Sequence, residues 1–238
     1  MELEQCMRLA IQEAKASLRE GNNGFGAVII KDGDIVASAH DEEETLHDPT
    51  SHAEINVIRQ SSKRIGKRLH GCMLVSTHEP CPMCAFAIVW SGIERIAYGY
   101  SIEDAVAQGR KRIEFACADA IQKANAHIAV YEGILKTECA VLYRNDVRRE
   151  IERLRNADGR QLDMLNEDSI QRRTKWYQEN KGCFDFLDGN PLDSGYQLLL
   201  ERFHITADEA PIITKTEHRI VFHSRNFCPT LEACKILG

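Results

Sequence analysis

Residues 72–100 read CMLVSTHEPCPMCAFAIVWSGIERIAYGY, and this stretch decides the fold. CMLVST is a short apolar run with the length of a buried strand. Pro82 suits the first position of a helix, where its missing N–H costs nothing, so the sequence predicts a helix over 81–91. RIAYGY then returns as a second strand. Strands alternating with helices imply an α/β layer with helices on both faces.

The flanks extend the same pattern. Leu3, Met7, Ala10, Ile11, Ala14 and Leu18 recur at helical spacing, which predicts one amphipathic helix over 2–20, ended by GNNGFG. AVIIK and DIVASA flank Asp32-Gly33, the signature of a tight hairpin. A polar loop is expected from His40 to Pro49, with a helix starting near Thr50 or Ser51. Downstream, 102–122 reads as broken helix and HIAVYE as a strand. Leu135, Cys139, Leu142, Ile151 and Leu154 trace one long helix. The pattern changes near residue 156, which divides the chain into 1–155 and a smaller α+β extension over 156–238. The extension is expected to hold helices at TKWYQEN and YQLLLERF, a hairpin from PIITK to HRIVFH, and a short helix from Pro229.

The chain has 238 residues, 43% hydrophobic and 28% charged, with net charge −6, which excludes wholesale disorder, collagen-like repeats and a pure coiled coil. No apolar run approaches the roughly 18 residues of a membrane span. The N-terminus lacks the basic start and apolar centre of a signal peptide, so a cytoplasmic location is the default expectation. Nine cysteines are scattered except for Cys81 and Cys84, a pair suited to metal or catalytic use among otherwise reduced thiols.

Cys81 and Cys84 lie three apart at a helix start, where both sulfurs share a face and the helix dipole favours thiolates. His52 adds a third ligand, a set that suits one tetrahedral zinc per chain with one position open. Glu54 lies two residues beyond His52, placed as a proton carrier rather than a ligand. Two plainer readings stay open. Ser51-x-x-Glu54 also fits a capping box, and a purely structural zinc would need a fourth ligand, for which Cys72 or His78 stand nearest.

Phe25-Gly26-Ala27-Val28, Asp48-Pro49-Thr50-Ser51-His52-Ala53-Glu54-Ile55 and Glu79-Pro80-Cys81-Pro82-Met83-Cys84 occur in order. His-x-Glu followed by Pro-Cys-x-x-Cys resembles the signature of zinc nucleobase deaminases. Over residues 1–155 the chain resembles the cytidine deaminase superfamily, in the branch of guanine deaminases and tRNA adenosine deaminases. The resemblance implies a three-layer α/β/α fold around a five-stranded mixed sheet, a homodimer, and zinc on His52, Cys81 and Cys84. It implies a hydrolase acting on the C–N bond of a cyclic amidine, with Glu54 carrying protons from water to a ring nitrogen and to the departing amine. The backbone N–H groups of Ala53 and Cys81 would support substrate and water. Phe25 would wall the base, or simply pack in the core.

The substrate is less defined. The run ending at Trp90 and the segment Asp104-Ala105-Val106-Ala107-Gln108-Gly109 resemble guanine deaminase, which makes Trp90 and Asp104 candidate substrate residues. Ser101-Ile102-Glu103-Asp104 is equally a helix-start pattern. Basic clusters at 63–68, at Arg110-Lys111-Arg112 and along 144–155 suit phosphate contacts or a solvated face. The resemblance places Asp41 where these families carry a base-reading asparagine. An ionised aspartate only accepts hydrogen bonds, so Asp41 would prefer a ring presenting N–H groups and would repel phosphate. The expected partner is therefore a small nucleobase or nucleoside, purine or related aminated ring, with tRNA as the same-chemistry alternative and no membrane. A non-catalytic zinc-binding module is the alternative of another class. His223, Cys228 and Cys234 match no common ligand spacing, and Trp176, Tyr177, Phe184 and Phe186 would cover the sheet or the mouth of the site.

Overall fold

The structure, a computed structural model, describes residues 2–157, 171, 175, 212–215, 220–222, 233, 236 and 237. The predicted helices at TKWYQEN and YQLLLERF, the aromatic cluster 176–186, and His223, Cys228 and Cys234 lie outside the described residues. The chain divides into two compact units, Met1–Ile151 with Thr230–Gly238, and Glu152–Pro229. Residues 230–238, assigned from sequence to the extension, thus group with the first unit. Ala233 and Ile236 are helical and fully buried, and the Ile236 carbonyl accepts from Arg19 Nη1 at 3.0 Å. In the second unit, the expected hairpin is present as Ile212–Lys215 paired antiparallel with Ile220–Phe222.

The first unit is built on five strands, β1 (Gly26–Lys31), β2 (Asp34–His40), β3 (Cys72–His78), β4 (Arg95–Tyr100) and β5 (Ala129–Tyr131), in the order β2-β1-β3-β4-β5. β1 pairs antiparallel with β2 and β3, whereas β3–β4 and β4–β5 are parallel. The sheet is therefore mixed. Asp32 (φ 51°) and Gly33 (φ 88°) make the tight hairpin turn, as their sequence demands. Every residue of β3 is buried, as expected of a central strand covered on both faces.

Helix α1 (Leu3–Glu20) presents Met7, Ala10, Ile11, Ala14 and Leu18 to the sheet and packs with α7 (Lys136–Tyr143) on one face. On the other face lie α3 (Ala53–Ile65), α4 (Pro82–Ser91) and α6 (Cys117–Lys123). The fold is three-layer α/β/α. At Gly26 the backbone of α1 comes so close that a Cβ would lie 2.0 Å from the Ala10 carbonyl oxygen, so no side chain fits there.

Three local expectations change. The polar loop after β2 contains a short helix, α2 (Glu43–Leu46), which Asn22 Oδ1 caps by accepting from the N–H groups of Glu44 and Thr45. The stretch 102–122 resolves into α5 (Ile102–Ala107), a loop, and α6. The long helix from residue 135 breaks at Arg144, which is extended (φ −66°, ψ 128°), and restarts as α8 (Asn145–Arg155). Apolar spacing continues across the break because both helices face the core, so periodicity could not reveal it.

Candidate zinc and catalytic site

Two helix starts meet at the C-terminal end of β3. His52 is the N-cap residue of α3 and Cys81 that of α4, and neither side chain caps its helix. Both are turned inward. Cys81 Sγ and Cys84 Sγ lie 3.6 and 3.5 Å from His52 Nδ1, and all three donor atoms fall within 4.8 Å of one another. With metal–sulfur bonds of about 2.3 Å and metal–nitrogen bonds of about 2.05 Å, a tetrahedral S···N edge is about 3.6 Å. Donor chemistry and spacing both fit zinc. Cys72 and His78, the possible fourth ligands, are elsewhere: Cys72 opens β3 and His78 Nδ1 donates to the Glu79 carbonyl at 2.9 Å.

The local field favours a thiolate. Cys81 is pushed down to about 4, chiefly by the Cys84 thiol that bonds to it and then by His52. Cys84 is pushed up by the same contact and by burial. His52 is raised to about 9, first by its contact with Cys81. Its other ring nitrogen, Nε2, faces Glu43 Oε2 at 3.8 Å. Cysteines 6, 72, 81, 84, 117 and 139 are all free thiols.

Glu54 is 5% exposed and sits beside the ligands, with Oε2 3.5 Å from Cys84 Sγ and Oε1 3.4 Å from Ser76 Oγ. Burial, and then the Cys81 charge, push its carboxyl up to about 7. The capping-box reading is corrected here. Ser51 Oγ donates to Asn56 Oδ1 at 3.2 Å, the helix starts one residue later than that box requires, and Glu54 is left for the metal cluster.

Asp41 is fully buried beside this cluster. Its Oδ1 accepts from Asn23 N at 3.1 Å, its Oδ2 has no partner, and it shares a 4.8 Å group with Glu43 and His52. Burial raises its carboxyl pKa. Ala53 is fully buried at the first turn of α3. Phe25 belongs to a ring box, stacked on Tyr143 with centroids 5.3 Å apart and meeting His78 edge-on at 5.5 Å.

Residues 1–100 match the family model of the cytidine and deoxycytidylate deaminase zinc-binding region. A guanine deaminase of Bacillus subtilis is 39% identical over 111 residues, which cover 46% of this chain and 71% of that enzyme. The chain belongs to the cytidine and deoxycytidylate deaminase family. A tRNA-specific adenosine deaminase of Aquifex aeolicus is 42% identical over 96 residues, covering 40% of this chain and only 64% of that relative's length. A solved structure from work on A-to-I editing by tRNA:A34 deaminases at the wobble position of transfer RNA aligns with TM-score 0.50 and 32% identity, over 58% of this chain and 98% of that one.

Sequence also suggested Trp90 and Asp104 for this deaminase-family chain. Trp90 is 76% exposed near the far end of α4, about 9 Å along the axis from Cys84 and on a different face. Asp104 performs the helix-start role: Ser101 Oγ accepts from its N–H, and its carboxylate accepts from Ser101 Oγ (2.7 Å) and from Lys136 Nζ (2.8 Å to Oδ1). It lines a half-open cavity of about 610 Å³ with Glu79, Tyr98, Glu132 and Lys136.

Sequence reasoning missed the roles of Glu79 and Tyr143, and offered His78 only as a fourth zinc ligand. Glu79, 6% exposed, accepts the first N–H of α5 (Ile102, 2.9 Å) with one oxygen and of α6 (Cys117, 2.9 Å) with the other. Only a charged residue directly before Pro80 signalled it. Tyr143 is fully buried and donates to Thr77 Oγ1 at 2.7 Å, a contact across 66 residues that no local pattern announces. Among the described residues, no helix is long and apolar enough to cross a membrane.

Proposed function

We propose that the chain is a zinc-dependent hydrolytic deaminase that converts the exocyclic amine of a nucleobase or nucleoside, a purine such as guanine or a related aminated ring, to a carbonyl with release of ammonia. The observation that carries this reading is Glu54, a buried carboxyl held against a three-donor zinc cluster with which it has no ligand role. A non-catalytic zinc module has no use for that costly placement.

When bound, zinc supplies a Lewis acid that brings the pKa of a water to about 7. Beside His52, Cys81 and Cys84, which would hold the metal, Glu54 would take a proton from the attacking water at a carboxylate oxygen as the water's oxygen bonds to the amine-bearing ring carbon, and would pass that proton to the adjacent ring nitrogen. It then moves the second proton to the departing amine, so water and amine become carbonyl and ammonia. The N–H groups of Ala53 and Cys81, at two helix starts, hold oxygen and ring. Phe25 walls the base, and the unpartnered Asp41 Oδ2 accepts an N–H of the ring. The reading includes a cytoplasmic homodimer, which rests on family resemblance.

The second reading, deamination of adenosine in tRNA, is favoured by the names of several relatives. The acidic run Asp41–Glu44 beside the site and the net charge of −6 weigh against a polyanion. An ammonia-release screen over guanine, adenine, cytosine, their nucleosides, aminated triazines and tRNA decides, with Glu54→Ala as control. Release from a small ring that vanishes in Glu54→Ala, with zinc still bound, is the expected result. Release from tRNA alone establishes the second reading, and stoichiometric zinc without ammonia from any substrate overturns both.

A further inference from the structure

The proposed base wall is backed by a residue that the deamination chemistry itself does not touch. Helix α7 ends on Tyr143, which is fully buried. Burial raises its pKa well above the usual phenol value, so the hydroxyl stays a donor. It donates to Thr77 Oγ1 at 2.7 Å. The same oxygen accepts the Gly26 N–H at 3.1 Å, and its own proton goes to the Gly26 carbonyl at 3.3 Å. A threonine hydroxyl offers one proton and two lone pairs, so all of its capacity is spent. The β1–β3 pairing ends one step earlier, at Ala27 and Ser76, and the Thr77 side chain takes the place of the next ladder pair. Tyr143 thereby reaches the peptide that joins Phe25 to Gly26.

That one peptide bridges two partners. Its N–H goes to Thr77, and its C=O, on Phe25, accepts the Asp41 N–H at 3.0 Å. The rings repeat the connection. Phe25 stacks on Tyr143 with centroids 5.3 Å apart and 27° between planes, and Tyr143 stacks on Tyr100 at 5.5 Å and 27°. His78 stands edge-on to all three, with centroids 5.2–5.9 Å from it. Tyr143 and Tyr100 are buried and Phe25 is half-buried, so Phe25 is the accessible end of the stack. Phe25 and Asp41, the two side chains assigned to the base, are thus both tied to Tyr143. That residue lies beyond the stretch matched by the family model.

We propose that Tyr143 is a positioning residue for the base: its ring fixes the plane of Phe25, and its hydroxyl, through Thr77, fixes the peptide that sets Phe25 against Asp41. This rests on the deaminase reading and deepens it, naming what aims the base at the zinc cluster. The zinc ligands and Glu54 belong to α3 and α4 and keep contacts of their own. A loosened wall weakens the hold on substrate and transition state alike, so it raises KM and leaves kcat nearly as it was. A group that acts only through Phe25 adds nothing once the Phe25 ring is gone.

The test uses the full, zinc-loaded chain and the small ring with the highest turnover in the ammonia-release screen. Tyr143→Phe keeps the stack and drops one hydrogen bond, and should raise KM about fivefold with kcat within about twofold of the parent. Tyr143→Leu, which loses the stack as well, should raise KM about fiftyfold, and Tyr143→Phe carries the decision if that variant does not fold. Phe25→Leu should raise KM by itself, and adding Tyr143→Phe to it should cost less than about twofold more. A fall in kcat with KM unchanged, or the full fivefold rise persisting in the Phe25→Leu background, overturns the proposal and leaves the deaminase reading standing. The second arm needs no turnover. Amide hydrogen exchange in Tyr143→Phe should quicken about tenfold at Gly26 and Asp41 while Ile29 and Leu74 of the same sheet hold. An even rise across the sheet, or none at Gly26 and Asp41, overturns the proposal. The selective rise in a chain whose parent turns over no ring sinks the deaminase reading and keeps Tyr143 as the residue that sets Phe25 against Asp41.

Discussion

Replacing Glu79 by glutamine keeps the side chain's shape and removes half of its accepting capacity. In the native chain one oxygen takes the Ile102 N–H and the other the Cys117 N–H, both at 2.9 Å and both out of water. Glutamine can satisfy one of these through its carbonyl, exchanging a charge-assisted bond for a neutral one at a loss of about 1 kcal/mol. The other N–H then faces an amide NH₂, leaving buried donors unmet at a cost of about 1–3 kcal/mol. The starts of α5 and α6 also lose a negative charge that complements their dipoles. The sum is a destabilisation of about 2–4 kcal/mol, a large share of the 5–15 kcal/mol typical of a domain. Urea unfolding of zinc-loaded Glu79→Gln and parent proteins should show a lower midpoint at similar slope. Hydrogen exchange should quicken first around Ile102 and Cys117. A loss under about 1 kcal/mol, or exchange that rises evenly across the sheet, refutes the reasoning.

Three further outcomes follow from other sites. His40, bonded to Glu13 and Glu20, is raised to about 9, first by Glu13, and Glu13 is lowered mainly by His40. Stabilisation from His40 is therefore complete below its unfolded value near 6.5 and fades as pH rises towards 9, while that from Glu13 fades below about 4.5. The stability gap between parent and His40→Gln, read from urea midpoints, should be widest at pH 5–6.5 and close above pH 9; a gap independent of pH contradicts this. Gly26→Ala forces a Cβ to 2.0 Å from the Ala10 carbonyl and 2.5 Å from Ala14 N, both helix backbone, and should yield insoluble protein or lower the thermal midpoint by ten degrees or more on the order-of-magnitude scale of a several-kcal/mol loss. A midpoint unchanged within two or three degrees on that scale would mean that α1 moves freely. Glu43→Gln, at the Nε2 side of His52, should weaken zinc about tenfold in a chelator competition, and unchanged affinity would show that Glu43 does not orient the imidazole.

The legible parts of this chain were those whose signals are local. His-x-Glu and Pro-Cys-x-x-Cys place ligands at two helix starts within a few residues, and Asp32-Gly33 dictates its turn without help from elsewhere. The strand–helix–strand run at 72–100 was equally self-contained, because apolar length and one proline define it. The box around His78 was not legible, because Phe25, Tyr100 and Tyr143 converge from three elements. The break at Arg144 escaped because α7 and α8 bury the same kind of stripe. Asp104 carried two readings, a helix-start acid and a base reader suggested by a family-like segment; the first was local and is seen in its bond with Ser101, while the partner Lys136, brought in from α7, was beyond any local signal.

The return of residues 233 and 236 to the first unit sets an order of assembly. His52, Cys81 and Cys84 span 32 residues, a short loop to close, and all have left the ribosome long before residue 236 is made. The bond from Arg19 to the Ile236 carbonyl joins positions 217 apart and must come late. Metal capture by the growing chain can thus precede completion of the domain that houses it. The 78 residues of Glu152–Pro229 are made between the two, and their synthesis delays that final closure.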